Sequence, residues 1–335
     1  MEIKIPKKSR GRQTPEKEMQ YEDDLQSFAD AILQISKSLS FRVSSRGWCY
    51  ILEEHGLRKG DFDYAQRLIN DCRKTGLLPI DITAVDQSRV ATCIQDVDNE
   101  TPEEQARAAV ESIYAFAWWY TPESFWERQD VYLEVLVEKI DLKSLFEPIC
   151  KKYNVPLTNA RGWSDIHSRA AMMDRFSEWE EKDKRCILLY CGDHDPGGLN
   201  ISETILSNLW DLDDAVGMPF SLEVDRFGLN YDFIMENNLS WVENLETSSG
   251  GRLDSPRHRD HYKPYVQSYL AKYGVRKVEA NALVTRADAG RRLCEEAILK
   301  YLDTSKIIEH EEFIEEQRWQ VRTHIAELME EGAGD

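Results

Sequence analysis

Apolar spacing divides the chain into a helical first third and a remainder in which strands and helices alternate. Leu25, Phe28, Ile32, Leu33, Ile35 and Leu39 recur at roughly helical spacing, which predicts a first amphipathic helix over 21–40. Ser44-Ser45 reads as the start of a second helix, with Trp48, Ile51 and Leu52 on its apolar face and His55-Gly56 as its stop. Asp61 or Asp63 can cap a third, with Tyr64, Leu68, Ile69 and Cys72 facing inward. Thr75-Gly76-Leu77-Leu78-Pro79 is a turn into a short extended piece, Ile80 to Ile82. Residues 90–104 are polar, and Pro102 to Tyr120 is a helix candidate rich in alanine and aromatics. Strands are predicted at Val131 to Glu138, Val155 to Thr158, Arg185 to Cys191 and Phe220 to Arg226. Helices are predicted between them at Leu142 to Tyr153, Asp165 to Lys182 and Leu199 to Trp210. Lys277 to Leu283 reads as one more strand, and helices close the chain from 288 to 331.

Helix, turn, helix and a short extended wing is the profile of a winged-helix module. Strands alternating with helices indicate an α/β domain built on a parallel sheet. The expected organisation is a disordered basic arm (1–20), a mostly α winged-helix domain (21–100), a connecting helix (101–130), a parallel-sheet domain (131–290) and acidic C-terminal helices (291–335). No run of 18 apolar residues occurs and no apolar leader core stands near residue 1, so a cytoplasmic protein without a membrane span is expected. The seven cysteines are scattered without a Cys-x-x-Cys pair, which indicates neither a zinc ribbon nor a disulfide frame. The formal net charge of −19 argues against a general nucleic-acid-coating protein. That charge is uneven: Lys4, Lys7, Lys8, Arg10 and Arg12 make a basic N-terminus, while 309–331 is strongly acidic.

The richest chemistry lies in Cys191-Gly192-Asp193-His194-Asp195-Pro196-Gly197-Gly198, directly after a strand. Asp193 and Asp195 at a strand's carboxyl end are hard oxygen ligands suited to Mg²⁺, and Glu138 ends the preceding long strand. If those strands are neighbours, the three carboxylates converge and need a cation between them. The alternative is that such acids cap helices and stay solvated. Glu134 shares a face with Glu138 but is mid-strand and ranks below it. Arg46 and Tyr50 are i,i+4 on the second helix, so a guanidinium can bind a phosphate and favour phenolate character in the tyrosine. Tyr50 is not clearly part of the apolar stripe; the alternative for it is a packing aromatic with a satisfied hydroxyl. Weaker candidates are His194 between the two aspartates, Lys139 after Glu138, Arg161 and Glu279. Arg257, His258, Arg259 and Lys263 with Tyr262 and Tyr265 form a basic loop suited to phosphate-backbone contact or to plain solvation.

A strand ending in glutamate followed by a strand ending in Asp-x-Asp resembles the Toprim domain of topoisomerases, primases and OLD-type nucleases. Joined to an upstream winged helix, it resembles the topoisomerase VI A subunit and its relative, the meiotic double-strand-break transesterase. Arg46-Gly47-Trp48-Cys49-Tyr50 is similar to that family's Arg-x-x-(aromatic)-Tyr motif, with Cys49 where the family usually has an aromatic. Asp193-His194-Asp195-Pro196-Gly197-Gly198 is similar to its Asp-x-Asp-Pro-x-Gly stretch. Gly76-Leu77-Leu78-Pro79, Asp86-x-x-Arg89, Val137-Glu138-Lys139 and Arg161-Gly162-x-Ser164 look closest to small stand-alone "mini-A"-like relatives, as does the segment around Glu279. The resemblance implies Mg²⁺-dependent cleavage of double-stranded DNA by Tyr50 with a 5′-phosphotyrosyl product. It also implies a homodimer in which each tyrosine works on the partner's metal site. Strand passage would need a separate ATP-binding subunit, since no G-x-x-x-x-G-K-[ST] motif occurs. A hydrolytic Toprim nuclease with metal-activated water, and a non-catalytic DNA-binding or assembly protein, are the competing readings.

Overall fold

The computed structural model describes residues 3–8, 14–84, 100–160, 166–217, 221–247 and 250–332. Its helical first part contains α1 (Pro15–Ser36), α2 (Ser45–Glu53) and α3 (Phe62–Lys74). Then follow α4 (Pro102–Ser112), α5 (Phe125–Arg128), β1 (Val131–Val137), α6 (Ile140–Lys152), β2 (Leu157–Asn159), α7 (Ile166–Glu180) and β3 (Arg185–Cys191). The chain continues through α8 (Pro196–Leu199), α9 (Ile201–Trp210), α10 (Asp213–Val216), β4 (Glu223–Gly228), α11 (Tyr231–Glu236) and α12 (Pro264–Tyr273). It closes with α13 (Ala287–Leu299) and α14 (Thr304–Gly332). The protein is thus α/β with a four-stranded parallel sheet of order β2-β1-β3-β4.

The two central strands are apolar almost throughout because both their faces are covered. α6 packs against α13, whereas α7 packs against α9 and α10. The sheet order explains this grouping. From β1 the chain turns outward to β2; from β3 it turns the other way to β4. Right-handed crossovers then send α6 and α7 to opposite faces. The connections diverge between β1 and β3, whose ends are level because Val137 pairs with Cys191. A crevice opens at such a switch point, beyond the strands' carboxyl ends.

α2 is set against this crevice by its own start. Ser44 caps it, accepting from the Gly47 N–H at 3.0 Å. The Ser44 hydroxyl in turn donates at 2.6 Å to Asp141, a fully buried carboxylate in the first turn of α6 that also accepts from the Ser44 N–H. The sequence expectations need correction in three places here. Ile80–Ile82 forms a 3₁₀ turn and not an extended wing. Lys277 and Val278 make only isolated bridges before a 3₁₀ segment, Ala280–Arg286, so no strand forms there. The N-terminal residues 3–8 are laid against the helical unit: Ile3 is buried, its N–H donates to the His55 carbonyl at 2.7 Å, and Lys7 pairs with Asp61 at 2.8 Å. No described helix is long and apolar enough to cross a membrane.

Candidate active site at the switch point

Glu138 leaves the end of β1 and reaches over the turn that follows β3. Its Oε2 accepts from the Asp193 N–H at 2.8 Å and its Oε1 from the Lys139 ammonium at 2.5 Å. Lys139 also pairs with Asp193 Oδ2 at 3.2 Å, so one ammonium stands between two carboxylates. The approach depends on Gly192, where a Cβ would fall 2.7 Å from Glu138 Oε2 and 2.3 Å from the Tyr190 hydroxyl. Gly198 is equally tight, since a Cβ there would lie 2.1 Å from the Asp193 carbonyl oxygen.

Asp193 is only 7% exposed, and its Oδ1 accepts from the Ala280 N–H at 2.7 Å. Burial first, and the Glu138 charge second, push its carboxyl up to about 7 against the pull of Lys139 and the Ala280 N–H. Asp195 caps α8, accepting from the Gly198 N–H at 2.6 Å, and burial raises its carboxyl too. The capping alternative therefore describes part of what Asp195 does, although it also lines the cleft.

Glu279 closes the site from the far end of the chain. It is forked by Arg46 at 3.1–3.2 Å and accepts from the Tyr50 hydroxyl at 2.8 Å. Burial alone would raise its carboxyl, but Arg46, the tyrosine hydroxyl and Lys277 outweigh that and hold it below the usual range. Tyr50 corrects two expectations. It is 0% exposed, packed edge-on against Phe62 with ring centroids 5.1 Å apart, and belongs wholly to the buried side of α2. Its phenol is not eased toward phenolate: burial first and Glu279 second push it well above its usual value, and the opposing pull of Arg46 is smaller. The Lys59 ammonium sits 4.8 Å from the tyrosine ring centre.

A cleft of about 930 Å³ joins these groups, lined by Arg46, Lys59, Glu138, Lys139, Asp193, Asp195, Lys277, Glu279 and Asn281 among others. Tyr50 thus reaches Glu279 of its own chain, next to the Ala280 N–H that holds Asp193. Among the described residues, no three His, Cys, Asp or Glu side chains converge closely enough to hold a metal ion. The donors are nonetheless hard oxygens, the chemistry Mg²⁺ takes, and Asn281 adds a buried amide oxygen with no hydrogen-bond partner.

Of the remaining candidates, His194 turns away from the cleft. It is buried among Tyr231, Trp241, Tyr269 and Tyr273, its Nδ1 meets the Leu229 carbonyl at 2.9 Å, and burial holds it below its ordinary value. Glu134 is fully buried and forked by Arg175 at 2.7 and 2.8 Å, an internal ion pair. Arg161 lies outside the described residues. Of the basic loop, Arg257, His258, Arg259 and Lys263 do not line the cleft; the segment that leads to it meets the cleft wall where Arg252 bridges Glu246. Asp141, Lys59 and Asn281 were not singled out from the sequence. Asp141 carried the ordinary signal of an acid in a helix's first turn, and nothing local ties it to Ser44, 97 residues earlier. Searches against family models, curated proteins and solved structures return no match to this chain.

Proposed function

We propose that the protein cleaves DNA by tyrosine transesterification, with a winged-helix-like helical unit supplying Tyr50 and a Toprim-type sheet supplying a Mg²⁺ site. The observation that carries this reading is the Tyr50 hydroxyl donating at 2.8 Å to an ionised carboxylate, Glu279, in the cleft that holds Glu138 and Asp193. A phenol needs a base to attack phosphorus at neutral pH, and nucleophile and base already stand at hydrogen-bond distance. In the reaction the Tyr50 oxygen bonds to phosphorus while its proton passes to Glu279. The bond from phosphorus to the 3′ oxygen breaks, leaving a 5′-phosphotyrosyl link. The departing 3′ oxygen takes a proton, for which the Lys139 ammonium is the donor within the cleft. Arg46 can exchange its fork on Glu279 for the scissile phosphate. Here the Lys139 ammonium supplies positive charge between Glu138 and Asp193, and Glu138, Asp193 and Asp195 would converge on Mg²⁺ only with that ammonium displaced. The cationic loop supports a nucleic-acid substrate: Arg259 is almost fully exposed, and Arg257 and Tyr262 are exposed as well. The reaction requires α2 to lift, because Tyr50 is enclosed in the resting arrangement.

That enclosure favours a second reading, hydrolysis by activated water with Tyr50 holding Glu279 in place. Incubation with supercoiled plasmid and Mg²⁺, stopped with detergent, separates the two. Transesterification leaves cut DNA protein-bound until protease is added, and Tyr50→Phe abolishes the cutting. Freely migrating cut DNA that survives Tyr50→Phe overturns the tyrosine in favour of water.

A further inference from the structure

The main apolar core runs from Ile3 to Leu302 and leaves out one projection of the chain. α4 has no buried residue, and the 3₁₀ segment that follows it, Ile113–Trp119, buries only Ala117. α14 lies along that segment and buries His310 and Ile314. Neither Ala117 nor Ile314 belongs to the main core. Arginines of α14 tie the projection together. Arg318 Nε donates to the Tyr120 carbonyl at 3.1 Å, and the Arg322 guanidinium lies 4.3 Å from the centre of the Trp118 ring. Three residues per turn set Phe116 and Trp119 one above the other on the 3₁₀ segment. They are 70% and 85% exposed. Trp118 and Trp319 are more than half exposed, and Tyr114 and Tyr120 are 43% exposed each. Arg322 stands one helical turn beyond Trp319 and covers Trp118, which joins the two elements into one surface.

A whole aromatic side chain offers about 150–250 Å², so these six leave about 500–900 Å² of ring surface in water. The largest apolar patch of a monomer is typically about 300–600 Å². Each partner in a standard protein interface covers about 800 Å², so this surface has the size that a stable dimer needs. Tryptophan, tyrosine and arginine are also the residues that anchor such interfaces. The surface is complementary to itself. Arg318 and Arg322 lie on α14 just after Glu315 and Glu316, which are exposed. A copy turned about a two-fold axis brings acids to these arginines and rings to these rings. We infer that two copies of this chain associate through this projection, α14 and the 3₁₀ segment of one against those of the other. This dimer differs from the one the resemblance implies. None of the six rings lines the cleft, so the contact stands apart from Arg46, Glu138 and Glu279.

Sedimentation velocity on the purified full chain tests the assignment, independently of the chemistry proposed for the cleft. The unaltered protein is expected at the mass of two chains from about 10 μM upward, since interfaces of this size reach micromolar affinity or tighter. Changing Phe116 and Trp119 together to serine removes rings that are mostly in solvent. That variant is expected to keep its circular dichroism spectrum and to sediment as one chain, its dissociation constant raised about a hundredfold or more. If it does not fold, hydrogen exchange of the unaltered protein at low and high concentration decides. Exchange that slows with concentration at residues 113–120 and 315–322 supports the assignment, and slowing confined to other segments overturns it. An unaltered protein that stays monomeric at ten times the expected concentration overturns it and gives the surface to a different molecule. A folded double variant that remains dimeric also overturns it, because the two copies then meet elsewhere.

Discussion

Glu279 holds both candidate side chains of α2, Tyr50 through its hydroxyl and Arg46 through its fork. Glu279→Gln removes the charge and leaves a partly buried guanidinium without its partner. A loss of about 1–3 kcal/mol in stability is expected, read as a lower urea midpoint with unchanged slope, together with loss of protein-linked DNA. Asp193 gives a pH dependence. Its folded carboxyl stands near 7, above its ordinary 3.8, so from about pH 4 to 7 the folded chain keeps a proton that the unfolded chain has lost. Stability of the metal-free protein therefore falls as pH rises through that window, and Asp193→Asn flattens the fall in a thermal-melt series. Asp193 and Glu138 were legible in the sequence, because a strand's end announces itself by the apolar run before it. The environment of Tyr50 was not. Helical spacing reports which residues share a face, but here five successive residues of α2, Trp48 to Leu52, are buried all round the helix, so spacing could not set Tyr50 apart from its neighbours.

The start of α2 and the first turn of α6 are joined by one buried contact, Ser44 to Asp141. Ser44→Ala removes the helix cap and takes one donor from a buried carboxylate. It is expected to destabilise by about 2–4 kcal/mol, measurable by denaturant titration, and so to act well beyond an ordinary cap. The loop of residues 250–263 is where the proposed function puts contact with the duplex by charge. It is braced internally, with the His261 ring nitrogen on the Leu253 carbonyl at 2.8 Å and Lys263 on Asp260 at 2.8 Å. Changing Arg257 and Arg259 together to alanine is expected to weaken duplex binding and to lower the slope of log affinity against log salt by about 2, seen in fluorescence anisotropy. Most elements were readable because long apolar runs and capping residues are local signals. The piece at 277–283 misled for a physical reason: its alternation is that of a strand, but Ala280 and Asn281 serve the cleft and leave only isolated bridges at Lys277 and Val278.

Across the whole molecule, the helical unit and the sheet meet within one chain. The resemblance implies a tyrosine acting on a partner's metal site, whereas here the Tyr50 hydroxyl is hydrogen-bonded to Glu279 of its own chain. Mixing Tyr50→Phe protein with Asp193→Asn protein distinguishes the two arrangements. A site assembled within one chain gives no restored cleavage in the mixture; exchange between copies restores it. The contact also has a consequence in time. Tyr50 and Glu279 are 229 residues apart, and Arg46 and Glu279 are 233. A ribosome delivers the tyrosine long before the carboxylate that engages it. Throughout that interval the growing polypeptide carries Tyr50 and Arg46 without the carboxylate they share, and this side of the cleft is completed only after residue 279 has been made.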